Sequence, residues 1–210
     1  MNKPINIALV DDHQLFRTGL KFVLEEMDNV KVSFEASNGV EFLEFLKITK
    51  PDIVLMDINM PEMNGVEATQ AALKLYPDLN ILILTMFSDL EYYNTMIDLG
   101  IKGFILKDID NQELKIAIEK IFSGGTFFSQ ELLLKLIKEK PADDQISLTS
   151  REKEVLELIC RGFSNQQISE QLFISQRTVE RHRSSLLTKT DSKNSVSLVI
   201  YAIKNNIVKV

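Results

Sequence analysis

Apolar runs and helically spaced apolar residues alternate along the first 122 residues of the chain. Short apolar or alternating runs bounded by turn residues predict strands, and apolar residues three or four positions apart predict amphipathic helices. The predicted strands are residues 5–10, 30–36, 53–56, 81–84 and 103–106. The predicted helices are residues 14–26, 39–47, 65–75, 90–99 and 111–122. Five alternations of strand and helix predict an α/β fold with a parallel sheet and helices on both faces.

The pattern changes after two consecutive glycines at positions 124 and 125. Residues 130–140 predict one more helix, and the polar, proline-containing residues 140–145 predict a linker. Beyond the linker every predicted element is a helix, and Thr149 with Glu152 and Ser164 with Gln167 form capping boxes at two helix starts. Ser175 is predicted to cap a third helix, and residues 194–206 form the fourth. The predicted domains are residues 1–124, a linker at 125–145 with a helix, and residues 146–210.

Charge is distributed unevenly between the two predicted domains. Residues 1–145 contain 14 basic and 24 acidic side chains, a net charge of −10, whereas residues 146–210 contain 10 basic and 6 acidic side chains, a net charge of +4. This asymmetry predicts different partners for the two halves, with a polyanion as the candidate for the basic half. The single cysteine, Cys160, excludes an internal disulfide and fits a reducing cytoplasm. No apolar run approaches membrane-spanning length, so we expect no membrane partner.

Polar residues stand directly after four of the predicted strands. Asp11 and Asp12 follow the first strand, Asp57 the third, Thr85 the fourth and Lys107 the fifth. Because parallel strands end at the same edge of a sheet, these side chains are expected to converge. Crowded carboxylates repel one another unless a cation lies between them, and Mg²⁺ is the usual cation at sites of carboxylate and phosphate oxygens.

Such a site is suited to phosphoryl transfer. An oxygen of Asp57 is expected to attack a phosphoryl group and form an aspartyl phosphate. Mg²⁺ and Lys107 would stabilise charge on the transferring group, and the Thr85 hydroxyl would donate to one of its oxygens. Taken singly, Asp12 and Asp57 are equally compatible with helix caps and Lys107 with a solvated side chain. The prediction therefore depends on the whole set at the strand ends.

The basic half contains two short predicted helices joined by a tight turn, the helix-turn-helix arrangement whose second helix enters the major groove of DNA. Candidate DNA contacts on that second helix are Arg177, Thr178, Arg181, His182 and Lys189. Arg177 and Arg181 are predicted to contact bases or phosphates and Lys189 phosphate alone. His182 is equally compatible with a buried histidine that contacts the backbone, and charge alone would also fit a helical bundle that binds protein. The modest positive charge predicts that useful affinity requires two linked subunits.

The first predicted domain resembles the receiver domain of bacterial two-component systems over residues 3 to about 124. The resemblance rests on Asp11-Asp12, Asp57, Thr85 and Lys107, with Met60-Pro61 and Gly65 after the central Asp. It implies a flavodoxin-like, doubly wound sheet of five strands in the order 2-1-3-4-5. It also implies that Asp57 is the phosphoacceptor and that Asp12, with Asp11 and the Asn59 main-chain carbonyl, binds Mg²⁺. Phe104 falls at the position of the family's switch aromatic, although a merely buried aromatic is equally compatible with the sequence.

Residues 147–208 resemble the LuxR/NarL-type DNA-binding domain, so the whole chain resembles a response regulator of the NarL/FixJ class. Two departures are Glu180, where many members have a basic residue, and Thr190-Asp191, which replaces a common Leu-Gly pair. In the receiver, Lys107-Asp108 replaces a common Lys-Pro pair.

The resemblance implies a transcription regulator that a sensor histidine kinase or a small phosphodonor phosphorylates, and that binds double-stranded DNA as a homodimer once activated. We expect no enzyme activity beyond acceptance of the phosphoryl group and its slow loss. The main alternative is a phosphorylation-independent transcription factor that uses the receiver as a dimer scaffold. A second alternative, a haloacid-dehalogenase-type phosphohydrolase, requires another Asp two residues after the nucleophile, where this chain has Asn59.

Overall fold

The structure, a computed structural model, describes residues 4–86, 92–128, 148–205 and 207–208, apart from the side chain of residue 94. The chain divides into two compact units, Met1–Phe122 and Ser123–Val210. The predicted linker helix at residues 130–140 and the predicted linker residues 140–145 lie outside the described residues.

A twisted parallel sheet organises the first half of the chain. Its strands are β1 (Ile5–Val10), β2 (Val30–Ala36), β3 (Ile53–Asp57), β4 (Asn80–Thr85), β5 (Gly103–Leu106) and β6 (Phe127–Phe128). The strand order is β2-β1-β3-β4-β5-β6, and the pairs among the first five strands are parallel. The predicted α/β class and the order 2-1-3-4-5 are confirmed, but the sheet has six strands instead of five. The sixth was missed because two residues are too few to show a period.

Five helices follow the first five strands. They are α1 (Gln14–Glu25), α2 (Gly39–Ile48), α3 (Gly65–Leu75), α4 (Tyr93–Leu99) and α5 (Asn111–Phe122). The predicted ends of α1 and α2 differ from the observed ones by one residue, which is the usual uncertainty of a fraying terminus. The predicted start of α4 at residue 90 lies outside the described residues.

Strand β3 and the start of α3 fix the position of Asp57. Every residue of β3 is buried, as expected for the central strand of a sheet covered on both faces. Asn64 caps α3 in a reciprocal capping box with Glu67. Gly65 lies directly against the end of β3, because a Cβ atom there would stand 2.0 Å from the carbonyl oxygen of Asp57. The close approach of α3 to Asp57 therefore requires glycine at this position.

Four helices build the C-terminal unit where the structure describes it. They are α6 (Ser150–Cys160), α7 (Asn165–Leu172), α8 (Gln176–Lys189) and α9 (Ser195–Lys204). Their apolar faces share one core that includes Val155, Ile159, Ile168, Val179, Leu186 and Leu198. Both predicted capping boxes are formed, at Thr149 and at Ser164. No helix in the described parts of the chain is long and apolar enough to cross a bilayer.

Candidate phosphoryl and metal site and candidate nucleic-acid interface

Acidic side chains from two strand ends meet at one edge of the sheet, as the sequence predicts. Asp11, Asp12, His13 and Asp57 each have a ligand atom within 4.8 Å of those of the others. Asp11 and Asp12 come directly after β1 and Asp57 ends β3, its hydrogen-bonded neighbour, so parallel pairing brings them together. His13 is the N-cap residue of α1, and it also belongs to this cluster. Its Nδ1 lies 2.9 Å from Oδ1 of Asp12.

Lys107 bridges the two buried carboxylates of the cluster. Its Nζ lies 2.8 Å from Oδ2 of Asp11 and 2.9 Å from Oδ2 of Asp57, and the side chain is only 7% exposed. The ammonium group also lies 5.0 Å from the ring centroid of Phe16, within the range of a cation–π contact. One buried cation is thus shared by two carboxylates that would otherwise repel each other.

Thr85 is also at this edge, on the strand next to Asp57. In the pairing of β3 with β4, Asp57 stands opposite Leu84, so Thr85 is the next residue along the neighbouring strand. Its side chain is fully buried, and its carbonyl accepts a hydrogen bond from the Lys107 backbone amide at 2.8 Å. A hydroxyl at this position is a candidate donor to an oxygen of a group bound on Asp57.

The electrostatics of the site favour Asp57 as the reactive acid. Burial raises the pKa of Asp57 to about 6, although the hydrogen bond and charge of Lys107 act in the opposite direction. Burial alone would lower the pKa of Lys107, but its pairing with Asp11 and Asp57 outweighs this effect and the pKa is raised. Near neutral pH, Lys107 is therefore a cation, and Asp57 is a carboxylate that is poorly stabilised by its surroundings.

Access to Asp57 is restricted. The residue is 2% exposed; its Oδ1 accepts a hydrogen bond from the Ile58 amide at 2.9 Å, and its Oδ2 pairs with Lys107. Asp12 and His13, in contrast, reach the surface. An open groove of about 460 Å³ lies beside the site and is lined by His13, Leu15, Phe16, Met86, Lys107 and Asp108. Lys107 therefore contacts Asp57 and also lines this groove.

The donor set of the cluster fits Mg²⁺. Asp11, Asp12 and Asp57 offer carboxylate oxygens, the hard ligands that Mg²⁺ prefers, within 4.8 Å of one another. Oδ2 of Asp11 is buried, and its contact with Lys107 is an ion pair without hydrogen-bond geometry. This oxygen therefore retains acceptor capacity for a cation. Asn59 is exposed two residues after Asp57, and the role of its carbonyl as a ligand stays a prediction.

Phe104 is fully buried and stacks on Tyr93, with ring centroids 3.8 Å apart and an interplanar angle of 19°. The structure thus places the candidate switch aromatic inside the fold, next to α4, and its switch role stays a prediction. The Lys107–Asp108 peptide bond is trans, since no cis bond occurs among the described residues.

Helix α8 presents basic side chains on the face that is not packed against the core. Arg177 and Arg181 are exposed, whereas Val179 and Leu186 are buried. Thr178 is half-buried, and its hydroxyl lies 2.8 Å from that of Ser175 at the helix cap. The two arginines are therefore the predicted contacts that the structure leaves most accessible to a polyanion. His182 is half-buried, and its role as a DNA contact stays a prediction.

Lys189, the remaining predicted DNA contact, has a partner within the unit. Its Nζ lies 2.8 Å from Oε2 of Glu152, a residue that is 4% exposed. Glu152 also accepts hydrogen bonds from the Thr149 amide at 2.9 Å and the Ser185 hydroxyl at 2.8 Å. The hydrogen bond from Lys189 is the largest of several that lower the pKa of Glu152 to about 2. The phosphate contact predicted for Lys189 competes with this internal ion pair.

Arg183 was not among the predicted site residues, yet it joins three helices. Its guanidinium donates to Oδ1 of Asn165 at the start of α7 and to Oγ of Ser195 at the start of α9, the latter at 3.2 Å. Burial lowers the pKa of this arginine. Sequence alone gives no signal for this role, because the partners are distant along the chain.

Comparison with known proteins agrees with both halves of the structure. Residues 7–119 match the family described as the response regulator receiver domain, and residues 146–202 match the family described as bacterial regulatory proteins of the luxR family. The transcriptional regulatory protein DegU of Brevibacillus brevis is 36% identical over 235 residues, covering 100% of both chains. The oxygen regulatory protein NreC of Staphylococcus aureus is 35% identical over 216 residues, covering 98% of this chain and 100% of its own.

Solved structures give the same assignment over nearly the whole chain. The response regulator ChrA of a heme-sensing two-component system has a TM-score of 0.56 and 30% identity, covering 99% of this chain and 100% of its own. The two-component response regulator RcsB in a complex with DNA has a TM-score of 0.60 and 25% identity, covering 96% and 99%. The chain therefore belongs to the two-component response regulators that join a receiver domain to a LuxR-type DNA-binding domain, a family of transcription regulators and not of classical enzymes.

Proposed function

We propose that Asp57 accepts a phosphoryl group from a sensor histidine kinase or a small phosphodonor, and that this modification controls DNA binding. The observation that supports the proposal is the environment of the Asp57 carboxylate. It lies within 4.8 Å of Asp11 and Asp12 ligand atoms and 2.9 Å from the Lys107 ammonium, with its pKa raised to about 6. A buried carboxylate with a shifted pKa, beside a cation and further acids, has the features of a phosphoacceptor site.

The chemistry follows from the partners of the two Asp57 oxygens. An oxygen of Asp57 attacks phosphorus while the bond from phosphorus to the donor's nitrogen or oxygen breaks, and the leaving group takes up a proton. Bound at Asp11, Asp12 and Asp57, with the Asn59 carbonyl, Mg²⁺ would stabilise negative charge on the transferring group. Because Lys107 pairs with Oδ2 of Asp57, its ammonium must shift before this oxygen can react, and it then pairs with the phosphoryl oxygens. The Thr85 hydroxyl donates to the same group.

The surface beside the site supports a protein phosphodonor. Leu15 lines the groove next to Lys107 and is 89% exposed, and Phe22, two turns further along α1, is 67% exposed. Exposed apolar side chains on the helix beside the groove are compatible with contact to a protein phosphodonor. A small phosphodonor such as acetyl phosphate would use the groove without this contact.

Phosphorylation would act by shifting the receiver between two states. The added dianion draws Thr85 and Lys107 inward and favours a minor state of the receiver, with Phe104 as the aromatic that changes position. That state exposes a dimerising or domain-releasing surface and pairs two helix-turn-helix units on spaced DNA half-sites. Arg177 and Arg181 contact bases or phosphates, with Thr178, His182 and Lys189 as further contacts. This function places the protein in the cytoplasm, with access to the phosphodonor and to DNA.

The test is phosphorylation of the full-length protein by acetyl phosphate and Mg²⁺, followed by intact-mass analysis. We expect wild type to gain a phosphoryl group and Asp57→Asn to gain none. Asp78→Asn is the matched control, because Asp78 is an exposed acid paired with Lys50 outside the acidic cluster. Undiminished labelling of Asp57→Asn would refute the assignment of Asp57.

The restricted exposure of Asp57 favours one alternative, in which the receiver serves as a dimer scaffold without phosphorylation. Asp57 is 2% exposed and paired, so a receiver that is never modified would have the same structure. DNA affinity and oligomeric state, measured with and without beryllofluoride and Mg²⁺, separate the two functions. A change in both quantities supports control by phosphorylation, and no change in either supports the scaffold.

A further inference from the structure

Arg17 is a charged residue on α1 whose side chain turns back toward the acidic site. Its Nη1 donates a hydrogen bond to the main-chain carbonyl of Asp11. Its Nε lies 3.4 Å from Oε2 of Glu35 on β2, and the side chain is only 16% exposed. Burial to this extent is unusual for arginine unless the guanidinium has fixed partners. Arg17 is therefore part of the interior next to the site and not a solvated surface charge.

The carbonyl that Arg17 binds belongs to the peptide between the two acidic residues of the cluster. Its orientation affects the directions of both the Asp11 and the Asp12 side chains. The same loop is held by two more contacts: the Asp11 amide donates to the Ala36 carbonyl at 3.1 Å, and Oδ1 of Asp11 accepts from the His13 amide at 2.8 Å. Neither of these contacts involves the Asp11 carbonyl, which accepts its hydrogen bond from Arg17.

Geometry and charge make opposite predictions for the effect of Arg17. As a cation near the acidic cluster, it should weaken the binding of another cation. As a donor that fixes the Asp11 peptide, it should strengthen binding, because residues that orient metal ligands raise metal affinity. Glu35 offsets the charge of Arg17 through their ion pair, and the charge of Arg17 also helps to lower the pKa of Glu41. Since Glu35 and Glu41 offset part of its charge, the geometric effect should dominate.

We propose that Arg17 is a positioning residue for magnesium binding and phosphoryl transfer, acting through the main chain of Asp11 and not by touching the metal or the phosphoryl group. This role rests on the proposed function of the acidic site. Through Arg17, helix α1 would contribute a side chain that orients the acidic residues of the site.

Lys21 provides a matched control on the same helix. It carries the same charge as Arg17 and pairs with the same carboxylate, at 2.7 Å from Oε1 of Glu35. Its side chain is 40% exposed and lies one turn further from the acidic loop. Removing Lys21 therefore removes a cation and a Glu35 partner while the hydrogen bond to the Asp11 carbonyl remains.

The experiment measures Mg²⁺ binding by calorimetry with full-length wild type, Arg17→Ala, Arg17→Lys and Lys21→Ala, with melting temperatures in EDTA recorded in parallel. We expect Arg17→Ala to weaken Mg²⁺ binding about tenfold, the lower end of the range for residues that orient metal ligands. Lys21→Ala should bind Mg²⁺ nearly as wild type does. Arg17→Lys keeps the charge and one donor group, so its affinity should lie between those of wild type and Arg17→Ala.

Two outcomes would overturn the positioning role. Arg17→Ala that binds Mg²⁺ as tightly as wild type, or more tightly, would show that fixing the Asp11 peptide does not strengthen binding. Equal losses in Arg17→Ala and Lys21→Ala, in step with their melting temperatures, would show a merely structural role. If Arg17→Ala does not fold, the comparison of Arg17→Lys with wild type decides in the same way. Wild type that neither binds Mg²⁺ nor accepts a phosphoryl group would instead contradict the proposed function itself.

Discussion

Each half of the chain contains a lysine that pairs with a buried carboxylate, and the two pairs differ in electrostatic balance. In the receiver, Lys107 is shared between Asp11 and Asp57, and burial raises the pKa of Asp57 to about 6. In the DNA-binding domain, Lys189 pairs with Glu152 alone, and hydrogen bonds lower the pKa of Glu152 to about 2. A carboxylate that pairs with a lysine thus has a raised pKa in one domain and a lowered pKa in the other.

The number of donors for each carboxylate explains the difference. Glu152 accepts from a backbone amide, two hydroxyls and an ammonium group, so its charge is fully compensated. Asp57 accepts from one backbone amide and shares the Lys107 ammonium with Asp11, a second acid beside it. A compensated carboxylate fixes structure, whereas an undercompensated one retains affinity for a cation or an electrophile. This difference supports the proposed chemical role of Asp57 and a structural role for Glu152, whose pair with Lys189 attaches α8 to α6.

The largest expected effect comes from removing the shared cation. Lys107→Met keeps the buried aliphatic stem and removes the ammonium, and we expect the initial rate of phosphorylation by acetyl phosphate to fall about a hundredfold or more. Mg²⁺ should bind at least as tightly as in wild type, because a competing cation is gone. Lys50→Met is the control, since Lys50 forms an exposed pair with Asp78. An unchanged rate of phosphorylation for Lys107→Met would contradict a functional role of Lys107 at the Asp57 site.

The second effect concerns the compensated cluster. Glu152→Gln removes the charge that accepts from Lys189 and weakens the capping box, and should lower the free energy of unfolding by about 2–3 kcal/mol. Urea unfolding of the full-length protein, followed by circular dichroism, measures this loss. Glu154→Gln is the control, because Glu154 is 50% exposed and pairs only with Arg151 one turn earlier on α6. Equal effects of the two substitutions would contradict the structural role of Glu152.

The third effect is a pair of opposite pH dependences. Asp57 has a raised pKa, so the metal-free native state holds a proton between the usual value of 3.8 and about 6, and stability falls as pH rises through this window. Its expected size is on the order of 2 kcal/mol. Glu152 has a lowered pKa, so its contribution is present above the usual value of 4.5 and is lost as pH falls toward about 2.

Unfolding free energies measured against pH in EDTA test both signs. Asp57→Asn should lose the decrease in stability between about pH 4 and about pH 6, and Glu152→Gln should lose the decrease at lower pH. A wild-type stability that rises steadily through both windows would contradict the raised pKa of Asp57.

The smallest expected effect separates two basic residues of α8. Arg181→Ala should weaken binding to a mixed-sequence duplex about tenfold in the presence of beryllofluoride and Mg²⁺, and should lower the salt dependence by about one ion. Lys189→Met should weaken binding less, because its ammonium is already paired with Glu152. Fluorescence anisotropy over a salt series measures both quantities. Equal losses would show that Lys189 contacts phosphate as fully as Arg181 does.

Much of the fold follows from local sequence signals. The bounds of α3 were predicted correctly: Pro77 marks its end in the sequence, and the structure adds a capping box at its start. The meeting of Asp11, Asp57 and Lys107 was predicted from one rule, that parallel strands end at the same edge of a sheet. These predictions needed only the periodicity of the chain and the direction of its strands.

Contacts made by long polar side chains could not be predicted in the same way. Arg17 and Lys189 lie on helices, where a charged residue is usually solvated, and nothing in their local sequence distinguishes them. Their partners are the carbonyl of Asp11, six residues earlier, and the carboxylate of Glu152, 37 residues earlier. Which way such a side chain turns depends on the packing of helices against neighbouring elements. The sequence therefore identified the groups that meet at the sheet edge but not the residues that hold them in place.

The absence of a side chain at Gly65 has a mechanical consequence. Since even a methyl group there would overlap the carbonyl oxygen of Asp57, the main chain of Asp57 and the first turn of α3 are in direct contact. A displacement of the Asp57 main chain toward α3 would therefore displace that helix as well. Under the proposed function, Gly65 would thereby couple phosphorylation of Asp57 to the position of α3 on the outside of the domain.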